Sequence, residues 1–198
     1  MRTRGRLHFG SLHESYTRPV FGKILSAKFF PYINAEPKLS PNELAAKLES
    51  CTVLMATFHE VLRTTAGSKT ARRIQDTCII GNKRLEKGGQ ILIPHRQTLL
   101  DKKIFGFDAE DFNANRFIQD PSLAKSQGFR PFGGGITYCP GRFLVRKEIL
   151  TITGLLLGKF HVKVSDTNKQ FPIMKQELPS LGIMGPKLGE DVNITVTV

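Results

Sequence analysis

A glycine-rich loop that leads directly into a long apolar run constrains this chain of 198 residues more than any other feature. The loop reads Phe132-Gly-Gly-Gly-Ile-Thr-Tyr-Cys-Pro-Gly141. Successive glycines let the backbone adopt positive φ angles and approach a flat group closely. Because a proline and a helix follow Cys139, its sulfur is expected near a helix N-terminus, where the dipole and the free N–H groups favour a thiolate. The segment therefore predicts a thiolate loop.

Several interpretations of Cys139 stay open from the residues alone. A single thiolate on a glycine platform suits a haem better than zinc, which needs about three further ligands nearby. A lone cysteine is more often a small core residue. A phosphate loop is a weak alternative, since no Gly-Lys-Ser/Thr follows. A cysteine nucleophile needs a histidine base, and none of the 5 histidines can be placed beside Cys139 from the sequence.

Charge gives a second constraint, because the chain has 29 Lys and Arg but only 17 Asp and Glu, which gives a net charge of +12. A solvated basic surface explains this, and docking of an acidic protein partner is the next explanation. The basic residues are dispersed apart from Lys69-Thr-Ala-Arg-Arg73, and no zinc finger, RNP-type strand or basic heptad accompanies them. Nucleic acid is therefore not an expected partner.

The cysteines and the apolar runs indicate the cellular compartment in which the chain is expected. Cys51, Cys78 and Cys139 are odd in number and far apart, so neither a disulfide framework nor a zinc pair is predicted. An intracellular, reducing setting is expected. No apolar run reaches the ~18 residues that span a bilayer, and no signal peptide is visible.

The periodicity of apolar residues predicts helices in two regions, residues 42–64 and residues 140–158. Ser40-Pro41 supplies a hydroxyl cap and a first-turn proline, and apolar residues over 42–64 recur at three- and four-residue steps. This predicts one broken helix or two short ones, ending near Gly67. A second helix is predicted from Pro140 to about Gly158, with one apolar face made by these residues: Leu144, Val145, Ile149, Ile152, Leu155 and Leu156.

Strands are predicted where apolar runs are bounded by glycine. Residues 77–80 and 90–93 flank Gly81-Asn82 and Gly88-Gly89, which is typical of a hairpin. Residues 94–131 are predicted to be an irregular meander, and short strands are predicted at 161–164 and 192–198. The fold class is thus mainly α with small β-sheets, an α+β chain.

The thiolate loop resembles the haem-binding signature of the cytochrome P450 family, Phe-x-x-Gly-x-Arg/His-x-Cys-x-Gly. It matches at Phe132, Gly135, Cys139 and Gly141. It departs at Thr137, where the family has an arginine or histidine that holds a haem propionate, and where threonine offers a hydroxyl. A Cys-Pro-Gly-Arg version without that basic residue is similar to the branch of the sterol 7α-hydroxylases and its fungal relatives.

Two upstream motifs stand in the order that this family shows. Glu60 and Arg63 lie on one helix face and match the family's Glu-x-x-Arg pair, and Arg116 matches the arginine of its Phe-x-Pro-x-Arg-Phe segment. Together they imply one buried carboxylate shared by two guanidiniums, each able to bond bidentately. Arg72 stands where members place an arginine that binds a haem propionate, and an exposed arginine before a strand is an equal alternative.

The resemblance implies heme b, iron protoporphyrin IX, with Cys139 as the axial thiolate. Phe132, Gly133, Gly135 and Gly141 would form the haem-binding loop. The implied activity is that of a haem-thiolate monooxygenase, which inserts one oxygen atom from O2 into a small apolar substrate. Electrons would come from a partner of the NADPH-cytochrome P450 reductase type, docking on a basic face near three residues: Lys125, Arg130 and Arg142.

The resemblance also implies an organisation. Residues 41–198 would be the C-terminal, haem-binding portion of a P450 domain, and residues 1–40 a poorly defined lead. The Ala-Gly-x-Asp/Glu-Thr motif of the family's distal helix is not found, so the N-terminal and distal-helix region is expected to be lacking. The alternative function is therefore a truncated, non-catalytic fragment with weak or no haem binding. Full-length relatives are anchored in the endoplasmic-reticulum membrane.

Overall fold

A computed structural model of the protein describes residues 39–136, 138–165, 172, 174–175 and 182–197. Nearly all of the lead predicted over residues 1–40, and Thr137, lie outside the described residues. The larger of two compact units takes its described residues from 49–148 and 170–191. The smaller takes its own from 39–48, 149–169 and 192–198. The division into a lead and a haem-binding portion stays a prediction.

The first helix, α1, spans Pro41–Glu49 and begins as its sequence predicts. Glu43 N–H donates to Ser40 Oγ at 3.3 Å, and Ser40 N–H donates to Glu43 Oε2 at 2.8 Å. This reciprocal pair is a capping box, which satisfies two amide groups that the first turn leaves free. Leu44, Ala45 and Leu48 form its buried side.

A separate helix, α2, spans Thr52–Thr65, so the prediction of two short helices is confirmed. Cys51, at its N-cap, has an extended backbone (φ −80°, ψ 104°), which interrupts the helical run. Ala66 is again extended, and its N–H bonds the carbonyl of Leu62, which ends the helix. The buried side of α2 carries charged residues, Glu60 and Arg63, among apolar ones.

Two antiparallel ribbons follow. Strand β1 (Lys69–Arg73) pairs with β4 (Gln90–Pro94), and β2 (Cys78–Ile80) pairs with β3 (Lys83–Leu85). The predicted strands at 77–80 and 90–93 exist, but each pairs with a strand that was not predicted. The reason is exposure: β1 alternates between exposed and half-buried residues, so its sequence carries charges instead of an apolar alternation.

The predicted irregular meander at 94–131 is partly wrong, because the chain there forms short helical turns. These are α3 (His95–Leu99), α4 (Lys102–Phe105), α5 (Asn115–Gln119) and a 3-10 helix (Pro121–Lys125). Asp101 and Asp120 accept from backbone N–H groups two residues later, at 2.8 and 3.0 Å. Helices of four or five residues are too short to show a 3.6-residue period. Their apolar core consists of Ala56, Phe105, Ala109 and Phe117.

The long helix, α6, spans Arg142–Lys159 and starts two residues later than predicted. Its predicted apolar face is wrong, since its buried residues are Leu150, Gly154 and Gly158. A Cβ on Gly154 would lie 2.6 Å from Leu48 Cδ1, so this glycine admits the leucine of α1. Three members of the predicted apolar face are exposed, with exposed fractions of 61, 42 and 65% at Leu144, Ile149 and Ile152.

The tail forms the two predicted short strands, β5 (His161–Val164) and β6 (Ile194–Thr197), and the structure pairs them antiparallel. Helices joined by three two-stranded sheets confirm the mainly α class with small β-sheets. None of the described helices is long and apolar enough to cross a membrane.

Candidate functional site

The thiolate loop, residues 132–141, is closed by its own backbone. Gly133 and Gly135 have φ angles of 79° and 73°, the left-handed region that side chains rarely adopt. This conformation lets Cys139 N–H donate to Phe132 O at 3.3 Å and Tyr138 N–H donate to Gly135 O at 3.2 Å. The glycines therefore fix the shape of the loop that presents Cys139.

Cys139 is half-buried and lies three residues before α6. Its carbonyl oxygen accepts from Arg142 twice, from the backbone N–H at 3.4 Å and from Nη1 at 2.8 Å. A Cβ on Gly141 would lie 3.8 Å from Cys139 Sγ, so the sulfur faces a bare stretch of backbone. No N–H of the described residues donates to Sγ, whereas the sequence led us to expect such bonds. The helix holds the cysteine by its carbonyl.

A partly buried Thr70–His95 pair lies beside the loop. Thr70 Oγ1 and His95 Nε2 share a hydrogen bond of 2.7 Å, and a Cβ on Gly133 would lie 3.7 and 3.9 Å from these atoms. Burial lowers the pKa of His95, with the charges of Arg130 and Arg72 adding to this. Sequence analysis missed both residues, since they meet only because β1 and β4 pair.

Arg72 lies in β1 and reaches the same loop. Its Nη2 donates to Gly134 O at 3.5 Å, and its Nη1 donates to Ala71 O at 2.9 Å. The guanidinium of Arg72 is thus beside the glycine platform. Thr137, the departure from the family signature, lies in the part of the loop that the structure leaves undescribed.

Behind this loop, α2 carries a buried ion pair. Arg63 donates to Glu60 from two nitrogens, Nε to Oε2 at 2.8 Å and Nη2 to Oε1 at 2.7 Å, and both side chains have no exposed surface. The remaining hydrogen bonds of Arg63 end on the carbonyl oxygens of Leu99, Ala109 and Asp111. This pair therefore ties the helical turns of residues 99–111 to α2.

Arg116 joins the same carboxylate from α5. Its Nε lies 3.2 Å from Glu60 Oε2, and its other nitrogens donate to the carbonyl of Phe105 and to Asp108, with Nη1 3.1 Å from Asp108 Oδ1. The sequence led us to expect two bidentate guanidiniums. The structure gives Glu60 one bidentate partner, Arg63, because Arg116 divides its donors between Glu60 and Asp108.

Two further members of this network were missed. Asn113 N–H donates to Glu60 Oε1 at 2.8 Å, and Asn113 Nδ2 donates to Asp108 Oδ2 at 2.8 Å. Burial alone would raise the pKa of Asp108, but bonds from Asn113 and Arg116 outweigh burial and lower it. A carboxylate within reach of Arg116 was visible in the sequence as Asp108, but its spacing matches no motif.

A family model described as cytochrome P450 matches residues 44–191, which include the thiolate loop, Glu60, Arg63 and Arg116. The chain belongs to the cytochrome P450 family. This confirms the resemblance drawn from the three motifs.

Individual P450 relatives come from fungi, plants and mammals. The chain is 28% identical to cytochrome P450 monooxygenase nodJ of Hypoxylon pulicicidum over 61% of its own length and 25% of the relative's. It is 29% identical to cytochrome P450 714B2 of Oryza sativa subsp. japonica, over 75% of its length and 26% of the relative's. With cytochrome P450 7A1 of Rattus norvegicus it shares 27% identity, over 71% of its own length and 30% of the relative's. It thus spans between a quarter and a third of these P450s.

Proposed function

We propose that this chain binds heme b through Cys139 and serves a P450 monooxygenase reaction. One oxygen atom of O2 would be inserted into a small apolar organic substrate. The observation that carries this proposal is the thiolate loop itself. Cys139 stands on a closed glycine turn, ahead of α6, in a chain of the cytochrome P450 family.

The residues present fit such a cofactor. No group of three or more His, Cys, Asp and Glu among the described residues could hold a bare metal ion. A single thiol instead suits a metal already held by a macrocycle. A Cβ on Gly135 would meet nothing within 4 Å, so open space lies in front of the glycine turn. Ile136 and Leu144, on either side of Cys139 in sequence, are exposed apolar side chains that a porphyrin would cover.

Each residue of the loop then has a task. Cys139 would supply the axial sulfur, while Phe132, Gly133, Gly135 and Gly141 would shape the turn that presents it. Bound haem supplies the oxygen chemistry, to which a thiolate ligand contributes electron density.

Arg72 is the candidate for a haem propionate. Its guanidinium already lies at the loop through Gly134 O. A carboxylate would be a stronger acceptor for it than this carbonyl at 3.5 Å. A propionate would therefore replace a weak bond with a charge-assisted one.

Glu60, Arg63 and Arg116 are proposed as positioning residues. Arg63 and Arg116 bond the carbonyl groups of residues 99–111. A carboxylate that accepts from two guanidiniums and a backbone amide stays ionised and fixed. The network would hold the turns on which the thiolate loop rests.

A reductase-type electron donor is the proposed partner. None of the three basic residues of the proposed docking face forms an ion pair with a carboxylate among the described residues. Unpaired cations steer an acidic partner more effectively than paired ones. The face is the one predicted from the sequence: Lys125, Arg130 and Arg142.

Haem titration with carbon monoxide tests the proposal. The full chain is loaded with haem, reduced and exposed to carbon monoxide, and the Soret band is recorded. We expect a thiolate-type band that disappears in Cys139→Ala and persists in Cys78→Ala, whose exposed thiol is the matched control. Failure to take up haem would support the alternative, a non-catalytic chain. Turnover of an apolar substrate with added reductase would then test the monooxygenase step.

A further inference from the structure

A cavity lies between α2, the thiolate loop and the start of α6. Its volume is about 190 Å³. The residues that line it exclude Cys139 and exclude the Glu60, Arg63 and Arg116 network. Phe132 and Tyr138 of the thiolate loop form one side of it, so it adjoins that loop while Cys139 stays outside its lining. We call it the His59 cleft, after the histidine in its wall.

The walls of the His59 cleft are largely aromatic. The His59 ring lies 5.3 Å from the Phe117 ring centroid and 5.6 Å from that of Phe129. Phe129 and Phe58 line the cleft beside Phe132. Rings at these separations favour edge-to-face and offset contacts with another ring. The aromatic lining of the cleft therefore favours binding of one aromatic group.

Arg142 supplies a positive charge to the same cleft. Its guanidinium carbon lies 4.3 Å from the Tyr138 ring centroid and 4.1 Å from the Phe143 ring centroid. This double contact fixes the plane of the guanidinium. Among the described residues no carboxylate lies within 4 Å of it, and its only hydrogen bonds go to Cys139 O. The charge of Arg142 thus has no anion to balance it.

The other polar groups of the cleft do not compete for that role. Arg146 pairs with Glu49 at 3.1 Å, so its charge is already balanced. Burial lowers the pKa of His59 to about 4, with a smaller effect from the charge of Arg146. His59 is therefore uncharged at neutral pH. Arg142 is left as the one cation of the lining without a carboxylate partner.

We propose that the His59 cleft binds a small aromatic carboxylate. Its ring would lie against Phe58 and Phe129, and its carboxylate would accept from the free donors of Arg142. The cleft is open to solvent, and its volume of about 190 Å³ leaves room for one ring with a short substituent. A haem is far too large for it. The ligand class follows from aromatic walls joined to one unbalanced guanidinium.

Calorimetry with three probes tests this assignment on the full, haem-loaded chain. Benzoate carries both the ring and the charge, benzyl alcohol carries the ring alone, and acetate carries the charge alone. We expect saturable benzoate binding about tenfold tighter than that of benzyl alcohol, because a charge-assisted bond contributes roughly 1.5 kcal/mol or more. Acetate should not bind measurably. Equal affinity for benzoate and benzyl alcohol, or no saturable benzoate binding, would overturn the proposal.

Variants locate the binding. Arg142→Gln should weaken benzoate binding about tenfold and leave benzyl alcohol unchanged, whereas Arg84→Gln, an exposed arginine paired with Glu86, should change neither. Ala124→Phe fills the cleft and should abolish binding of both rings. A cooperative thermal unfolding transition in the wild type, Arg142→Gln, Arg84→Gln and Ala124→Phe shows that each compared protein is folded, and benzoate should raise this temperature in the wild type. Unchanged benzoate affinity in Arg142→Gln contradicts the assignment.

The same titrations on the haem-free chain separate this proposal from the monooxygenase proposal. Binding of benzoate without a thiolate-type spectrum would leave the cleft standing and remove the haem function. A thiolate-type spectrum without benzoate binding would do the reverse.

Discussion

Arg63 and Glu60 form a two-pronged ion pair in which neither side chain has any exposed surface. They lie three residues apart on α2, so the helix itself sets their separation. Burial of an ion pair is unfavourable unless every donor and acceptor is satisfied. Here the acceptors and donors are met by Arg116, Asn113 and three backbone carbonyls. The pair therefore anchors the turns of residues 99–111 to α2.

Loss of the shared carboxylate charge should destabilise the chain strongly. Glu60→Gln leaves two buried guanidiniums facing a neutral amide, and we expect the free energy of unfolding to fall by about 3–5 kcal/mol. Urea denaturation followed by circular dichroism measures it. Glu86→Gln is the control, because the Arg84–Glu86 pair is exposed and should contribute only about 0–1 kcal/mol. Equal effects of the two changes would refute the structural role of Glu60.

Gly133 should be intolerant of a side chain for a reason specific to the thiolate loop. Gly133→Ala places a Cβ at a φ of 79°, which costs about 1–2 kcal/mol, within the turn that positions Cys139, and its Cβ would be in ordinary van der Waals contact with Thr70 and His95. Gly189→Ala is the matched control, because its φ of 82° is equally strained but no atom lies near its Cβ. We expect both to lower stability, and only Gly133→Ala to weaken haem uptake. Haem titration of the two variants decides this.

The contact between α1 and α6 should behave as a size-matched pair. Gly154→Ala puts a Cβ 2.6 Å from Leu48 Cδ1, and we expect a loss of about 1–3 kcal/mol from overpacking. Leu48→Ala removes the opposing atoms, so the double variant should be more stable than the sum of the single changes allows. A double-mutant cycle by urea denaturation measures this coupling, and simple additivity would count against the contact.

Acid should weaken the fold through His59. Because burial lowers its pKa from 6.5 to about 4, the unfolded chain takes up this proton first. Stability should be unaffected by His59 above pH 6.5 and should fall from there to about pH 4. The expected contribution is about 1–2 kcal/mol, allowing for solvent screening at a half-buried ring.

His59→Phe keeps an aromatic ring in the cluster and removes the titrating group. Its stability should fall less steeply than the wild type's between pH 6.5 and pH 4. The residual slope would belong to other groups with a lowered pKa, His95 through burial and Glu43 through its hydrogen bonds with Ser40. Urea midpoints across this range give the comparison, and identical slopes would show that His59 is not the group responsible.

The sequence predicted those parts of the fold that depend on local chemistry. Ser40-Pro41 starts a helix because a cap and a proline act within one turn, and β5 and β6 follow from apolar runs between turns. Prediction from the sequence failed where residues far apart in the chain determine which side chains are buried. Leu144 and Ile152 were assigned to the apolar face of α6, yet Gly154 makes the buried contact. Leu48 packs against Gly154 because a glycine has no side chain to block it.

The candidate site divides in the same way. Glu60, Arg63, Arg116 and Cys139 were found because they belong to motifs with fixed spacing. Thr70, His95, Asp108 and Asn113 were missed, because strand pairing or loop closure brings them to the site. The site's motif residues could thus be predicted, while the residues that hold them in place required the structure.

Iron X-ray absorption on the haem-loaded chain tests the central claim most directly. If Cys139 is the axial ligand, the spectrum of the wild type should show one sulfur neighbour beside the porphyrin nitrogens, and that sulfur should vanish in Cys139→Ala. The Cys78→Ala control should keep it. A wild-type spectrum with nitrogen or oxygen neighbours and no sulfur would contradict the account.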